Sequence, residues 1–137
     1  MATPDELRAA LDQGRTAMRE AIEAAEMAWR ATAGGDAWSA QQTTEHVIEV
    51  EALFTTAMCD ACGYPGVDVV RPDCASSTEA LDEFDAVVNN CNAKLKNLTQ
   101  EDLAKVHERF GTVEEIMAMN LKHLTEHSAQ IREAAGA

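Results

Sequence analysis

Hydrophobic residues recur every three or four positions along most of this chain, which is the spacing of helices that bury one face. The pattern predicts four long helices, covering approximately residues 3–31, 39–61, 76–98 and 112–134. Each begins at a residue that can cap a helix N-terminus with its side-chain oxygen. These caps are Thr3, Ser39, Ser76 and Thr112.

Three stretches interrupt the helical pattern. Gly34 and Gly35 break the chain after the first helix, and residues 63–73 show no convincing helical periodicity. Between the third and fourth helices, Thr99 can cap a short helical segment that ends at Phe110, directly before Gly111. We therefore expect a fifth, short helix here and an extended connection after the second helix.

Four amphipathic helices bury their apolar faces only by packing on each other, which predicts an all-α four-helix bundle and a single domain spanning 1–137. The connection after the second helix is long for antiparallel neighbours. About twelve extended residues reach roughly 40 Å, whereas a helix of about 23 residues is roughly 35 Å long. The second and third helices are thus expected to run parallel, joined by a crossover.

Composition and charge narrow the function classes. Glycine and proline are sparse, with 7 and 3 residues, as expected of a helical protein. The formal net charge of −13 disfavours nucleic acid and anionic membranes as partners. The N-terminus lacks the basic and apolar regions of a secretory signal, and no apolar run approaches the ~20 residues of a membrane span. We expect a cytoplasmic protein acting on a small molecule.

Histidines carry the strongest chemical signal. His123 and His127 are four positions apart, so their rings point the same way from one helix. They belong to a stripe that is expected to face the core. This stripe contains Val113, Ile116, Met117, Asn120, His123, Leu124, His127 and Ile131. His46 lies on the inward stripe of the second helix. Burying unpaired polar rings costs about 1–3 kcal/mol each, which a shared partner would offset.

A divalent metal ion is one such partner. Imidazole binds zinc or nickel well, and three imidazoles leave a coordination position open for water or substrate. The alternative is that His46, His123 and His127 bond to carboxylates or backbone at the core edge, or are exposed at the end of the bundle. His107 lacks a matching helical face, so we expect it at the surface.

Three other polar residues are weaker site candidates. Glu49, one turn from His46, is a candidate base or a group that orients His46. Asn120 and Gln130 flank the histidine pair and are candidates for lining a substrate cavity. A solvated glutamate and polar packing at the core are the competing explanations.

The cysteines form a second, weaker pattern. Cys59 and Cys62 are a close pair, whereas Cys74 and Cys91 stand alone, so a four-thiolate zinc site is poorly supported. Parallel second and third helices would bring Cys59 towards Cys91, and a Cys62–Cys74 bridge across the connection is conceivable. Small, buried, reduced thiols are the simplest account.

Two motifs resemble the signatures of the DinB/YfiT-like superfamily. Trp38-Ser39 precedes His46 by eight and seven positions within WSAQQTTEHVIEVE, and the sequence HLTEHSAQI contains His123, His127, Gln130 and Ile131. Their order and spacing agree over essentially the whole chain. The resemblance implies an up-down-down-up bundle with zinc or nickel on His46, His123 and His127. It also implies that dimers are common.

Characterised relatives include thiol S-transferases and a mycothiol-dependent maleylpyruvate isomerase. The resemblance therefore favours a metal-dependent thiol S-transferase that uses mycothiol or bacillithiol on a small electrophile. A metal-dependent hydrolase and a non-enzymatic metal-binding stress-response module are the alternatives.

Overall fold

The computed structural model describes residues 2–137 and contains four long helices, α1 (Pro4–Ala24), α2 (Ala40–Cys62), α3 (Ser77–Leu95) and α4 (Val113–Ala135). A small antiparallel hairpin, β1 (Val106–His107) and β2 (Gly111–Thr112), precedes α4. The predicted all-α four-helix architecture is confirmed.

The four predicted caps form as expected. Thr3, Ser39, Ser76 and Thr112 each accept a hydrogen bond from the backbone N–H three residues later. In α2 and α4 the cap is reciprocal, because the side-chain oxygens of Gln42 and Glu115 accept a hydrogen bond from the backbone N–H of the capping residue. Because these interactions are local, the helix starts can be predicted from the sequence.

Contacts between helices establish their directions. Arg8 of α1 donates to the Leu95 carbonyl at 2.9 Å, and Arg19 donates to Asp85 at 2.8 and 2.9 Å, so α1 and α3 are antiparallel. Gly14 faces Leu121 of α4, and a Cβ placed on Gly14 would lie only 2.9 Å from a methyl carbon of that leucine. Glycine thus permits a close approach of α1 to α4.

The long connection after α2 is a crossover, as predicted. Near the start of α2, Glu45 accepts a hydrogen bond from the Cys74 backbone N–H at 2.8 Å, just before α3 begins. Further along, the Glu51 carbonyl accepts from the Cys91 thiol at 3.5 Å. Residue numbers therefore increase in the same direction along α2 and α3, so the two helices are parallel.

Two predicted boundaries are wrong. The first helix was expected to reach residue 31, but α1 ends at Ala24 and a 3₁₀ turn follows at Glu26–Ala28. The buried Trp29 indole donates to the Cys74 carbonyl at 2.9 Å, which anchors this stretch to the crossover instead of extending the helix.

The prediction of a short helix ending at Phe110 is also wrong. This segment instead forms a 3₁₀ turn at Glu101–Ala104, followed by the hairpin. Gly111 has φ +90°, a conformation that side-chain-bearing residues rarely adopt, and it allows the chain to reverse before α4.

The centre of the bundle contains a buried ion pair. Arg15 of α1 donates to the Glu51 carboxylate of α2 at 2.8 Å and to the Asn92 side-chain oxygen of α3 at 2.7 Å. Only 4% of Arg15 and 1% of Glu51 are exposed to solvent. One polar network thus joins three of the four helices.

We expect Glu51→Ala to lower the free energy of unfolding by about 3–5 kcal/mol, because it leaves the Arg15 charge buried and unpaired. The matched control is Asp85→Ala, which removes the partner of Arg19 in a more exposed pair between α1 and α3. The control should have a much smaller effect. Urea unfolding followed by circular dichroism measures both, and equal losses would contradict the prediction.

Candidate metal centre

The three predicted histidines lie together where α2 packs on α4. The Nε2 atom of His123 is 3.1 Å from Nε2 of His46 and 2.9 Å from Nε2 of His127. One nitrogen from each ring falls within 4.8 Å of the other two, a grouping that could hold a metal ion. Residues 77 positions apart in the chain are thus neighbours.

Antiparallel packing of α2 and α4 produces this arrangement. His46 lies near the start of α2 and packs against His127, with ring centroids 5.1 Å apart. Further along α2, Phe54 packs edge-on against His123 at 5.9 Å. Because His123 and His127 are one helical turn apart, both reach the same point opposite His46.

The nitrogen atoms suit a metal ion better than they suit each other. A hydrogen bond between two imidazoles needs a hydrogen on one ring nitrogen and a lone pair on the other. Nε2 of His123 faces two nitrogens and carries at most one hydrogen, so it cannot form two separate hydrogen bonds as a donor. Three converging imidazole nitrogens form a donor set that zinc and nickel accept. The residues present therefore fit a divalent ion.

Gln130 supports the outer side of the centre. Its side-chain oxygen contacts Nδ1 of His127, one turn further along α4. A hydrogen on Nδ1 that is donated to this oxygen leaves the lone pair of Nε2 directed towards the other two histidines. Such outer hydrogen bonds typically fix the tautomer and orientation of metal-binding histidines.

Aromatic and cationic side chains enclose the centre. Trp38 packs edge-on against His46, with centroids 5.3 Å apart. The Arg71 guanidinium, from the crossover, lies 6.0 Å from the centroid of the Trp38 ring. The contact with Trp38 limits the rotation of the His46 ring.

The environment favours the neutral forms of His123 and His46. Burial lowers the pKa of His123 to about 4, with further lowering by His127 and His46. Burial also lowers the pKa of His46, and the nearby charges of His127 and Arg71 act in the same direction. At neutral pH these rings are therefore uncharged and have lone pairs available for a cation.

A cavity of about 370 Å³ opens beside His127. His127 and Gln130 form part of its wall, together with Trp38 from the loop before α2. Asp36 and Glu133 contribute carboxylates to the lining. The cavity has space for a small molecule in contact with a metal ligand.

The remaining site candidates separate in the structure. Gln130 lines the cavity, whereas Asn120 is only 1% exposed and lies in the core, with both side-chain polar atoms lacking hydrogen-bond partners among residues 2–137. Glu49 is half-buried; its charge acts on His46, although no hydrogen bond joins the two among the described residues. Whether any of these residues binds substrate or takes part in catalysis stays a prediction.

His107 lies outside the centre. It belongs to β1, is partly exposed, and its Nδ1 accepts a hydrogen bond from the Arg109 backbone at 3.1 Å. Its ring packs on Phe110 with centroids 5.1 Å apart. It therefore provides a natural control for the three clustered histidines.

All four cysteines are free thiols. The conceivable Cys62–Cys74 bridge is wrong, because Cys74 contacts Glu45 at one end of α2 while Cys62 is the last residue of that helix. Those positions are 17 residues, or about 25 Å, apart along the helix. Burial raises the pKa of Cys91 to about 11, and Cys59 is close enough to contribute to that increase.

Several residues of the site were not identified from the sequence as candidates. Asp36 and Glu133 carry no motif or spacing that marks them, and Arg71 lies in a connection without helical pattern. Trp38 belongs to a motif but has no predicted role at the site. The positions of Asp36, Trp38 and Arg71 depend on how their loops fold back, for which the sequence carries no periodic signal.

None of the helices described in residues 2–137 combines the length and hydrophobicity that a transmembrane span requires.

We expect His123→Ala to abolish metal binding while leaving the helical circular dichroism spectrum unchanged, because it removes the central ligand. We expect the unaltered protein to bind about one divalent ion per chain. The matched control, His107→Ala, should bind the same amount. Metal analysis of protein purified without chelators, and after addition of zinc or nickel, measures this. Equal metal content in the two variants would contradict the prediction.

Gln130→Ala should weaken metal affinity by about 10–100-fold, since His127 loses the partner that orients it. Gln13→Ala, at an exposed position on α1, serves as the control and should leave affinity unchanged. Competition with a chromophoric chelator gives both affinities. An effect of the same size for both glutamines would show that the contact between Gln130 and His127 is unimportant.

The comparisons with known proteins agree with this geometry. No curated protein and no solved structure gives a significant match to the chain. The profile of the DinB superfamily matches residues 10–131, which include all three clustered histidines. With this match over most of its length, the chain belongs to the DinB superfamily.

Proposed function

We propose that this protein is a metal-dependent thiol S-transferase that acts on a small electrophile. The observation that carries the proposal is the cavity that opens on His127, one of three histidines suited to a divalent ion. Closed structural zinc sites use four protein ligands, whereas catalytic sites commonly use three and keep a position for substrate. A three-histidine set beside a cavity is the second type.

A divalent ion such as zinc or nickel supplies one chemical function at such a site: it lowers the pKa of a thiol or water molecule that binds to it. His46, His123 and His127 would hold the ion, and Gln130 would orient His127. The three imidazoles are neutral ligands, so they leave the positive charge of the ion available to favour a thiolate.

The cavity would position the thiol substrate. Its volume of about 370 Å³ lies near the lower end of small-ligand sites, which span roughly 300–1,000 Å³. Trp38 offers an apolar surface, while Gln130, Asp36 and Glu133 offer polar groups to a thiol rich in hydroxyl groups. In the transfer itself, the thiol first loses its proton to solvent. The sulfur then forms a bond to a carbon of the electrophile while the leaving group departs with the electrons of the bond that breaks.

A metal-dependent hydrolase is the second candidate. The carboxylates of Asp36 and Glu133 in the cavity wall favour it, because a carboxylate near the site can accept a proton from an attacking water molecule. Glu49 is a third such group, close enough to His46 to influence its pKa. The two candidates differ in whether a thiol binds in the presence of metal.

Thermal unfolding with mycothiol, bacillithiol, glutathione or coenzyme A tests the proposal. We expect one thiol to stabilise the metal-loaded protein, by about 2.7 kcal/mol at a concentration 100 times its Kd. The same thiol should not stabilise His123→Ala, whereas His107→Ala should behave like the unaltered protein. Thiol consumption with an aryl chloride as electrophile then measures transfer.

Failure of all four thiols to stabilise a metal-loaded protein would overturn the transferase proposal. Metal-dependent ester cleavage under the same conditions would then favour the hydrolase. Retention of metal without either activity would favour a non-enzymatic metal-binding module.

A further inference from the structure

Two thiols lie at the end of α2 that is remote from the histidines. Cys59 and Cys62 occupy the last turn of this helix, 13 and 16 residues after His46. A distance of 13 residues corresponds to about 20 Å along a helix. The pair is therefore outside the candidate metal centre and has no part in the proposed transfer.

The surroundings of the pair form a small, separate site. Cys59 lines a cavity of about 360 Å³ together with Tyr64, Lys94 and Asn97. Cys62 is half-buried and lies near Lys105, whose ammonium group pairs with Asp102 at 2.8 Å. Small ions can thus approach Cys59 through the cavity and Cys62 from the surface.

The helical spacing of the two cysteines favours a bridging ion over a direct sulfur–sulfur bond. Residues three apart on a helix have Cβ atoms about 5–6 Å apart, whereas a disulfide needs roughly 3.5–4.5 Å. Two sulfur–metal bonds of about 2.3 Å each span up to about 4.6 Å between the sulfurs, a separation compatible with Cβ atoms about 5–6 Å apart.

The end of α2 also resists the tightening that a disulfide would require. The Tyr64 backbone N–H donates to the Cys59 carbonyl at 2.9 Å, and the Gly63 N–H donates to the Asp60 carbonyl at 3.2 Å. Gly63 has φ +76°, so these bonds close the helix in a standard left-handed cap. Drawing Cys62 towards Cys59 would disturb both bonds.

One ammonium group near the thiols suits an anionic complex. Two thiolates around a monovalent cation carry a net charge of −1. Lys94 forms no ion pair within residues 2–137 and shares the cavity with Cys59, whereas Lys105, near Cys62, is already paired with the Asp102 carboxylate. Burial raises the pKa of both thiols, so they stay protonated and weakly nucleophilic until an ion displaces the protons.

We propose that Cys59 and Cys62 form a two-coordinate binding site for a soft monovalent cation, copper(I) or its analogue silver(I). Thiolate sulfur prefers such ions, whereas the imidazole nitrogens of the other centre suit zinc and nickel. On binding, two S–H bonds break, two sulfur–metal bonds form, two protons are released, and no electron is transferred.

Anaerobic titration with silver(I), followed by copper(I), tests the site in chelator-treated, reduced, full-length protein. We expect about one equivalent to bind with thiolate-to-metal absorbance. Cys62→Ser, at the half-buried position, and Cys59→Ser should each lose that absorbance, with folding checked by circular dichroism. Cys74→Ser, a buried thiol near the other end of α2, is the matched control and should retain it.

His123→Ala separates the two sites and should also retain the absorbance. Unchanged silver(I) binding in folded Cys62→Ser would overturn the proposal. Loss of binding in Cys74→Ser or His123→Ala equal to that in Cys62→Ser would overturn it as well. Failure of this site would leave the histidine centre and its proposed function untouched, because they are tested with zinc, nickel and thiols.

Discussion

The antiparallel contact between α2 and α4 is the interaction on which the candidate centre depends. It places His46 opposite His123 and His127, and it places Phe54 against His123. The nitrogen contacts of 2.9 and 3.1 Å leave little tolerance. A slip of one turn would move the helices by about 5.4 Å and separate the rings. The register of these two helices must therefore be set elsewhere in the bundle.

The buried polar network contributes to that register. Arg15 joins α1 to α2 through Glu51 and to α3 through Asn92, using directional hydrogen bonds in a setting where each charge needs its partner. Aliphatic contacts alone tolerate sliding better than such a network does. The crossover adds a second constraint, because Cys74 is bonded through its backbone to Glu45 and Trp29. Together these contacts hold α2 in a defined position relative to α1 and α3.

The two ends of α2 have different chemistry. Near its start, neutral imidazoles and a cavity with two carboxylates suit a borderline divalent ion and a polar small molecule. At its end, two thiols with Lys94 nearby suit a softer, monovalent ion. About 20 Å of helix separates them, well over one Debye length at physiological salt. Each can therefore be removed by substitution without altering the other.

The sequence by itself determined the four helices, their capped starts, the shared face of His123 and His127, and the crossover, because capping and helical periodicity are local properties. It also indicated His46 as the third member of the group, through motif spacing.

Only the tertiary structure decided that Gln130 contacts His127, that Asn120 is buried in the core, and that Arg15 and Glu51 form an interior pair. The hairpin before α4 and the early end of α1 were likewise not predicted. Charged residues on amphipathic helices are exposed by default, and only the packing of several helices at once overrides that rule.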